Sequence, residues 1–250
     1  DPVPIGTASF AQVHRAALPS GREVAVKVQR PHLSAQVDAD LAALERLVRS
    51  LGLVTRAGER YGVNDWLQEF RATVRAELDY RQEADNLETF HDRLADYERI
   101  DVPRPVWDYT RRRVLVMDYI DGIQVTHIPP VLRTEVDLAP LARDLGKAYL
   151  DQVFVHGLIH ADPHPGNVKL TPDHRLALLD LGMVGYVPPR LRDQLLKLVV
   201  ATIDGRGEQA AETFIHMGTR LEDFDEARFS RETARLVARW SAASVINAGD

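Results

Sequence analysis

"VHGLIHADPHPGNVKL", Val155 to Leu170, sets three histidines, an aspartate, two prolines and an asparagine in one short span. Two chemistries compete for it. His156, His160, Asp162 and His164 bring imidazole and carboxylate together at short spacing, and zinc prefers such donors. Pro163 and Pro165, however, force an extended or turning backbone, so the histidines cannot share a helix face as a helical ligand pair would. The other reading takes Asp162 and Asn167, five apart, and Asp180 in "LLDLG" thirteen residues further on. In a phosphotransferase the first aspartate orients or deprotonates the acceptor hydroxyl, while the asparagine and second aspartate hold Mg²⁺ against the nucleotide phosphates. Alone, D-x4-N is also the composition of a turn-rich loop. The decision therefore rests on what surrounds it.

Upstream, Lys27 lies within the apolar strand pattern "EVAVKVQR", where an ammonium is costly unless paired. Glu83 precedes Leu87 by four on the buried stripe of a helical segment, where a carboxylate is equally costly. Each is the natural partner of the other. "PIGTASFAQV" places the small residues Gly6, Thr7, Ala8 and Ala11 before a strand, as a loop draped over phosphates requires, although small residues also suit any turn. "VLVMDYIDG" leaves a strand through Asp118 and Ile120 into a glycine, which suits either a connector pairing with adenine or an ordinary strand exit. The order of small-residue loop, strand lysine, helix glutamate, connector, D-x4-N and DLG is far more specific than any member, and it is the order of the protein-kinase-like fold.

"PIGTASFAQVHRA", "VAVKVQRP", "ELDYRQEADN", "VMDYIDG", "HADPHPGN" and "LLDLG" together resemble the signatures of the UbiB/AarF atypical kinases, also called the ADCK family, from Pro4 to Gly182. The resemblance implies that Lys27 contacts the α/β-phosphates and Glu83 braces it, that Asp162 is the catalytic base, and that Asn167 and Asp180 hold magnesium. It also implies that Asp118 and Ile120 offer backbone groups to adenine beside Met117, and that Gly6, Thr7, Ala8 and Ser9 belong to the family's replacement for a glycine-rich loop. Gly6 and Thr7 stand where that family often has alanine, a departure that bears on nucleotide selectivity. His160 is expected to buttress the catalytic loop. The family's E-x-D pair, regulatory in character, is matched by Glu77 and Asp79, which would face an upstream lysine-and-glutamine element occluding the usual peptide site. Read as four apart on one helix, Asp79 and Glu83 should repel by a few tenths of a kcal/mol.

The remaining sequence is consistent with this. Strands are expected at "EVAVKVQR", at Val106 to Tyr109 and at "RVLVMDYI", with Arg111 to Arg113 edging a turn. Helices are expected along Val37, Leu41, Leu44, Val48 and Leu51, and from about Asp65 to Ala95 with Trp66, Phe70 and Val74 on one stripe. Past Gly122 helices are expected near 137–155, 189–203, 208–217 and 225–245, interrupted by short strands near 168–170 and 176–179. The fold class is α+β: a two-lobed protein-kinase-like fold with a small sheet-plus-helix N-lobe, residues 1–120, and a mainly helical C-lobe, residues 121–250.

Composition narrows the function classes. With 31 basic against 37 acidic residues, nothing suggests a nucleic-acid binder. The absence of cysteine removes disulfide frameworks and thiolate metal sites and fits a reducing compartment. The longest apolar windows, such as "LLKLVVATI", fall short of the roughly 20 residues a membrane span needs. The chain opens without methionine and is expected to be part of a longer protein. The reading is an atypical kinase or ATPase core binding ATP (or ADP) with Mg²⁺, cytoplasmic or at a membrane surface. By resemblance it is linked to isoprenoid-quinone (ubiquinone) or related lipid metabolism, with lipid or quinone-pathway proteins as partners. The alternatives are a small-molecule phosphotransferase of the choline or aminoglycoside kinase type and a non-catalytic nucleotide-gated scaffold.

Overall fold

The computed structural model describes residues 1–7, 10–31, 33–50, 63–221 and 223–247. In chain order the first half carries β1 (Gly6–Thr7), β2 (Ala11–Ala17), β3 (Glu23–Gln29), α1 (Leu33–Ser50), α2 (Val63–Glu77), α3 (Tyr80–Arg93), β4 (Ile100–Asp101) and β5 (Val114–Asp118). The second carries β6 (Ile123–Gln124), α4 (Pro130–Glu135), α5 (Leu138–Asp151), β7 (Leu158–His160), β8 (Val168–Leu170), β9 (Leu176–Leu178), β10 (Val184–Tyr186), α6 (Pro189–Ile203), α7 (Gly207–Met217) and α8 (Glu226–Asn247). These elements form two compact units, residues 1–149 with 160–184 and residues 150–159 with 185–250.

The first unit is built on an antiparallel sheet of order β1–β2–β3–β5. Lys27 pairs with Val13 on one side and Leu115 on the other, so β3 is an interior strand. Side chains alternate across a strand, which puts Lys27 on the same face as the buried Ala25 and Gln29. The arginine triplet does turn the chain: Arg111 N–H donates to Val114 O at 2.7 Å and Val114 N–H returns to Arg111 O at 3.1 Å.

The strand expected at Val106 to Tyr109 is instead a turn. Tyr109 and Thr110 N–H both donate to Val106 O at 3.1 Å, and the Thr110 hydroxyl accepts the Val116 N–H at 3.2 Å. Pro103 and Pro105 lack the donors a ladder needs, and only the isolated bridge Pro105–Met117 forms.

The helix expected from Asp65 to Ala95 is two helices, α2 and α3, broken at Leu78 and Asp79. Asp79 leaves helical geometry, with φ −112° and ψ 95°, and its carboxylate accepts the Arg81 N–H at 3.2 Å. An aspartate that can cap a helix competes with one that continues it. The apolar stripe of α2 also differs: Phe70 is 39% exposed and Leu67 is buried, while half-buried Val74 and, just past the helix end, buried Leu78 pack with Val37 and Leu41 of α1. The Trp66 side chain and Leu51 lie outside the described residues. Along α3, Tyr80, Glu83, Ala84, Leu87 and Phe90 are buried on one stripe.

A second sheet of order β4–β9–β8–β6 completes this unit. β8 and β9 match the expected short strands. Gly122, at φ +153°, turns the chain into β6, and a Cβ there would lie 2.6 Å from Leu170 O, so only glycine fits.

The second unit begins in the last residues of α5, which run into a wide π turn at Gln152–His156, closed by Gly157 at φ +62°. Val187 N–H donates to Gly157 O at 2.9 Å, just ahead of α6, whose first residue is Pro189 as expected. Ala201, Ala210 and Val237 pack α6, α7 and α8 together. Among the described residues, no helix is long and apolar enough to cross a membrane.

Candidate functional site

The first unit gathers three charges from three distant parts of the chain. Lys27 Nζ donates to both Glu83 oxygens, at 2.7 and 2.9 Å, and lies 3.3 Å from Asp180 Oδ2. Glu83 is buried, whereas the Asp180 side chain is 36% exposed, so one carboxylate closes the cluster from inside and the other reaches solvent. The Tyr80 ring stands 5.3 Å from Nζ and adds its π face to the cation. Burial alone would push Lys27 down, but the Glu83 and Asp180 carboxylates outweigh it and hold the ammonium above the ordinary lysine range. For Asp180 burial works upward, and Lys27 with the Gly182 N–H brings the carboxyl below its usual range.

The turn after Asp180 is held from both sides. Gly182 N–H donates to Asp180 Oδ1 at 3.0 Å. Asn86, one turn after Glu83 on α3, donates from Nδ2 to Leu181 O at 2.8 Å. The lysine, its brace and the DLG turn are therefore positioned by one helix face.

In the loop from His160 to Asn167 the histidines have structural contacts. His160 is buried, its Nδ1 3.4 Å from Met183 O and its ring stacked on Tyr149 with centroids 6.5 Å apart. His164 Nδ1 accepts the Gly166 N–H at 3.0 Å. Its own N–H donates to Asp162 O at 2.7 Å, and its carbonyl accepts the Asn167 N–H at 2.9 Å. Among the described residues, no three His, Cys, Asp or Glu side chains gather as a metal site would require.

Leu179 N–H donates to Asn167 O at 3.0 Å, just beyond the Val168–Leu178 pair, so Asn167 and Asp180 leave the same end of the β8–β9 hairpin. Asp162 has an exposed side chain. Burial lowers His160 below the ordinary histidine value, against the opposing pull of Met183 O, Asp180 and Asp162. Burial, then the charge of Asp162, pushes Tyr149 up to about 12. Both aspartates thus act on the same imidazole.

At the connector, Arg22 Nε donates to Asp118 Oδ1 at 2.9 Å, and the Asp118 N–H donates to Arg104 O at 3.0 Å. Ile120 O accepts Lys169 Nζ at 3.2 Å. The Tyr119 ring between them meets two cations, Arg15 at 4.6 Å and Lys169 at 5.7 Å. Gly6 and Thr7 form β1 against Val13 and Gln12 of β2, so the small-residue stretch sits at a hairpin. A Cβ on Gly6 would make only ordinary contact with Val13. Ala8 and Ser9 lie outside the described residues, as does the Glu77 side chain at the end of α2.

Asp79 is not the interior helical neighbour of Glu83 that its spacing suggests. It caps α3 and is faced by Arg81 Nη2 at 3.1 Å and Arg112 Nε at 3.9 Å. The Arg81 side-chain hydrogen bond holds its carboxyl below the usual range. No uncompensated repulsion arises. Tyr80 and Asn86 beside this cluster, and Lys169 at the connector, are contacts that sequence reasoning missed. Asn86 alone left a signal, a polar residue three after Glu83 on a buried stripe.

The sequence profile of the ABC1 atypical kinase-like domain matches residues 1–214. The uncharacterized protein slr0889 of Synechocystis is 30% identical over 253 residues, 95% of this chain and 60% of that protein. Protein ACTIVITY OF BC1 COMPLEX KINASE 8, chloroplastic, of Arabidopsis thaliana is 36% identical over 89% of this chain and 30% of its own length. AarF domain-containing protein kinase 1 of Xenopus laevis is 37% identical over 72% of this chain and 35% of its own. The chain thus spans between 30% and 60% of these relatives. Among solved structures, the complex of Rv3197 with erythromycin from Mycobacterium tuberculosis matches with a TM-score of 0.66 and 29% identity, over 90% of this chain and 56% of that one. Motif order, sheet topology and these similarities agree: the chain belongs to the ABC1 atypical kinase-like family, the UbiB/AarF or ADCK group, and has its α+β kinase-like fold.

Proposed function

We propose that this chain is the nucleotide-binding core of an atypical kinase or ATPase, taking ATP (or ADP) with Mg²⁺. The observation that carries the reading is the Lys27 ammonium held by buried Glu83 while also reaching the half-open Asp180. A cation fixed by one carboxylate beside a second, accessible one suits a site that receives phosphate oxygens together with a divalent ion. Lys27 contacts the phosphates and Glu83 positions it. Asp162 orients the acceptor or takes its proton. Gly6, Thr7, Ala8 and Ser9 cover the phosphates, and Glu77 and Asp79 regulate access. The lobe boundary falls at residues 120 and 121, at the connector.

The donor set fits magnesium. Asp180 and Asn167 supply hard oxygens from one end of a hairpin, and Mg²⁺ is usually bound through one or two carboxylates plus substrate phosphates and water. When bound, the ion neutralises phosphate charge. At the connector, the Asp118 N–H is already donated to Arg104 and the Ile120 carbonyl already accepts Lys169. The Asp118 carbonyl and Ile120 N–H are the groups that would meet the purine.

A tie to isoprenoid-quinone or related lipid metabolism, with lipid or quinone-pathway proteins as partners near a membrane, follows from family membership alone. Product analysis separates the readings. Phosphate release without acceptor supports the ATPase, and phosphate on a metabolite supports a choline- or aminoglycoside-type phosphotransferase. Binding without turnover supports a nucleotide-gated scaffold, and no binding of Mg-ADP or Mg-ATP by calorimetry would overturn all three.

A further inference from the structure

Lys169 is a half-buried lysine on β8 that the kinase signatures leave without a role. Its strand has Val168 and Leu170 buried on one face, so Lys169 projects from the other. The Leu179 to Asn167 hydrogen bond continues the β8–β9 ladder by one residue. Asn167 closes the 3-10 turn that leads into β8, two residues before Lys169. At its far end the Lys169 side chain reaches the connector, donating to Ile120 O at 3.2 Å and lying 5.7 Å from the Tyr119 ring. It thus links the strand that follows Asn167 to the connector backbone, the two places that the nucleotide reading gives to the phosphates and the base. An ammonium has three donors and no acceptor. One is used on Ile120, and the charge of Asp121, short of a direct ion pair, also acts on the ammonium.

We infer that Lys169 lies under the bound nucleoside and donates a hydrogen bond to one of its acceptor atoms, a ring nitrogen or a ribose hydroxyl oxygen, making it a specificity-determining residue. The inference rests on the nucleotide reading above. A donor-only group rewards a ligand acceptor and is left unsatisfied by an analogue lacking it. The chain would then select nucleotides by an electrostatic contact at the nucleoside, in addition to the connector backbone.

The test is calorimetric titration of the purified protein and its Lys169→Met and Lys169→Arg variants with Mg-ADP. Four analogues each lack one acceptor: 2′-deoxy and 3′-deoxy for the ribose, 3-deaza and 7-deaza for the base. Methionine keeps an apolar stem of similar length without the ammonium, and arginine keeps a donor. Lys169→Met should weaken ADP about tenfold, the scale of one charge-assisted hydrogen bond, while Lys169→Arg retains most of the affinity. One analogue should bind the wild type as weakly as ADP binds Lys169→Met and lose nothing more in the variant, and its identity names the base or the sugar. Equal weakening of ADP and all four analogues by Lys169→Met, or no weakening at all, would overturn the contact while leaving the nucleotide reading intact. A wild-type protein that binds no ADP would overturn the nucleotide reading and this inference together.

Discussion

Lys27 Nζ sits 2.7 Å from Glu83 Oε1 and 2.9 Å from Oε2, joining an interior strand to a helix across 56 residues of sequence. Both side chains are nearly out of water, and removing one partner of a buried pair strands the other. Because Asp180 also faces Lys27 at 3.3 Å, the two truncations are unequal. Lys27→Met leaves two carboxylates facing each other, whereas Glu83→Leu leaves the ammonium with Asp180. Denaturant titration should give a loss of about 3–5 kcal/mol for Lys27→Met and a smaller one for Glu83→Leu. The double variant should be less destabilised than the sum. A larger loss for Glu83→Leu would contradict this charge arrangement.

Asp79 works first as a helix cap. Asp79→Ala should cost about 1 kcal/mol, the usual weight of an N-cap carboxylate, and Asp79→Asn should cost less because the amide oxygen still accepts the Arg81 N–H. Thermal melts of the two variants decide it, and equal losses would mean that charge, not capping, dominates.

His160 carries a pH dependence whose sign is fixed by its burial. Its folded-state value is depressed below the ordinary histidine value, so the unfolded chain binds the proton more readily. The stability it contributes is present above the unfolded value of about 6.5 and is lost as pH falls through the folded value. Stability measured from pH 8 down to pH 5 should decline in the lower part of that range, and His160→Gln should flatten the decline. An unchanged slope in the variant would remove His160 as the cause.

The core should be a poor kinase for free peptides. Asp180 is followed by "LGMVGYVP" before α6 begins at Pro189. That segment holds β10 and, in Tyr186, its only hydroxyl. A peptide platform in protein kinases is a long activation segment. Labelled ATP with a broad peptide library should give no efficient transfer in trans, and rapid phosphorylation of free peptides would refute the argument.

Much of the site was legible because its charges stand on apolar stripes. Lys27 interrupts a run of valines and Glu83 interrupts a helical stripe, so each announces a partner even though 56 residues separate them. The placement of Asn167 and Asp180 at one end of the β8–β9 hairpin has no such signal, since their spacing alone does not pair two strands. The break between α2 and α3 was not legible either, since the apolar period runs on through Leu78 and an aspartate reads equally as helix or cap until its Arg81 bond is seen. Val106 to Tyr109 misled because β-forming composition outweighed the missing donors of Pro103 and Pro105. The strands β4 and β6 are two residues long, too short for any period to register. Asn86 on Leu181 and Lys169 on Ile120 are long-range contacts that no local pattern encodes.

The central claim is that Asp180 and Asn167 bring a magnesium ion to a nucleotide anchored by Lys27. Calorimetric titration of the purified protein with ADP, once in excess Mg²⁺ and once in EDTA, tests it most directly, with Asp180→Asn run alongside. The account predicts tighter binding with Mg²⁺ in the wild type, by roughly tenfold or more, and little difference between the two conditions in Asp180→Asn. Equal affinity with and without Mg²⁺ in the wild type would contradict it.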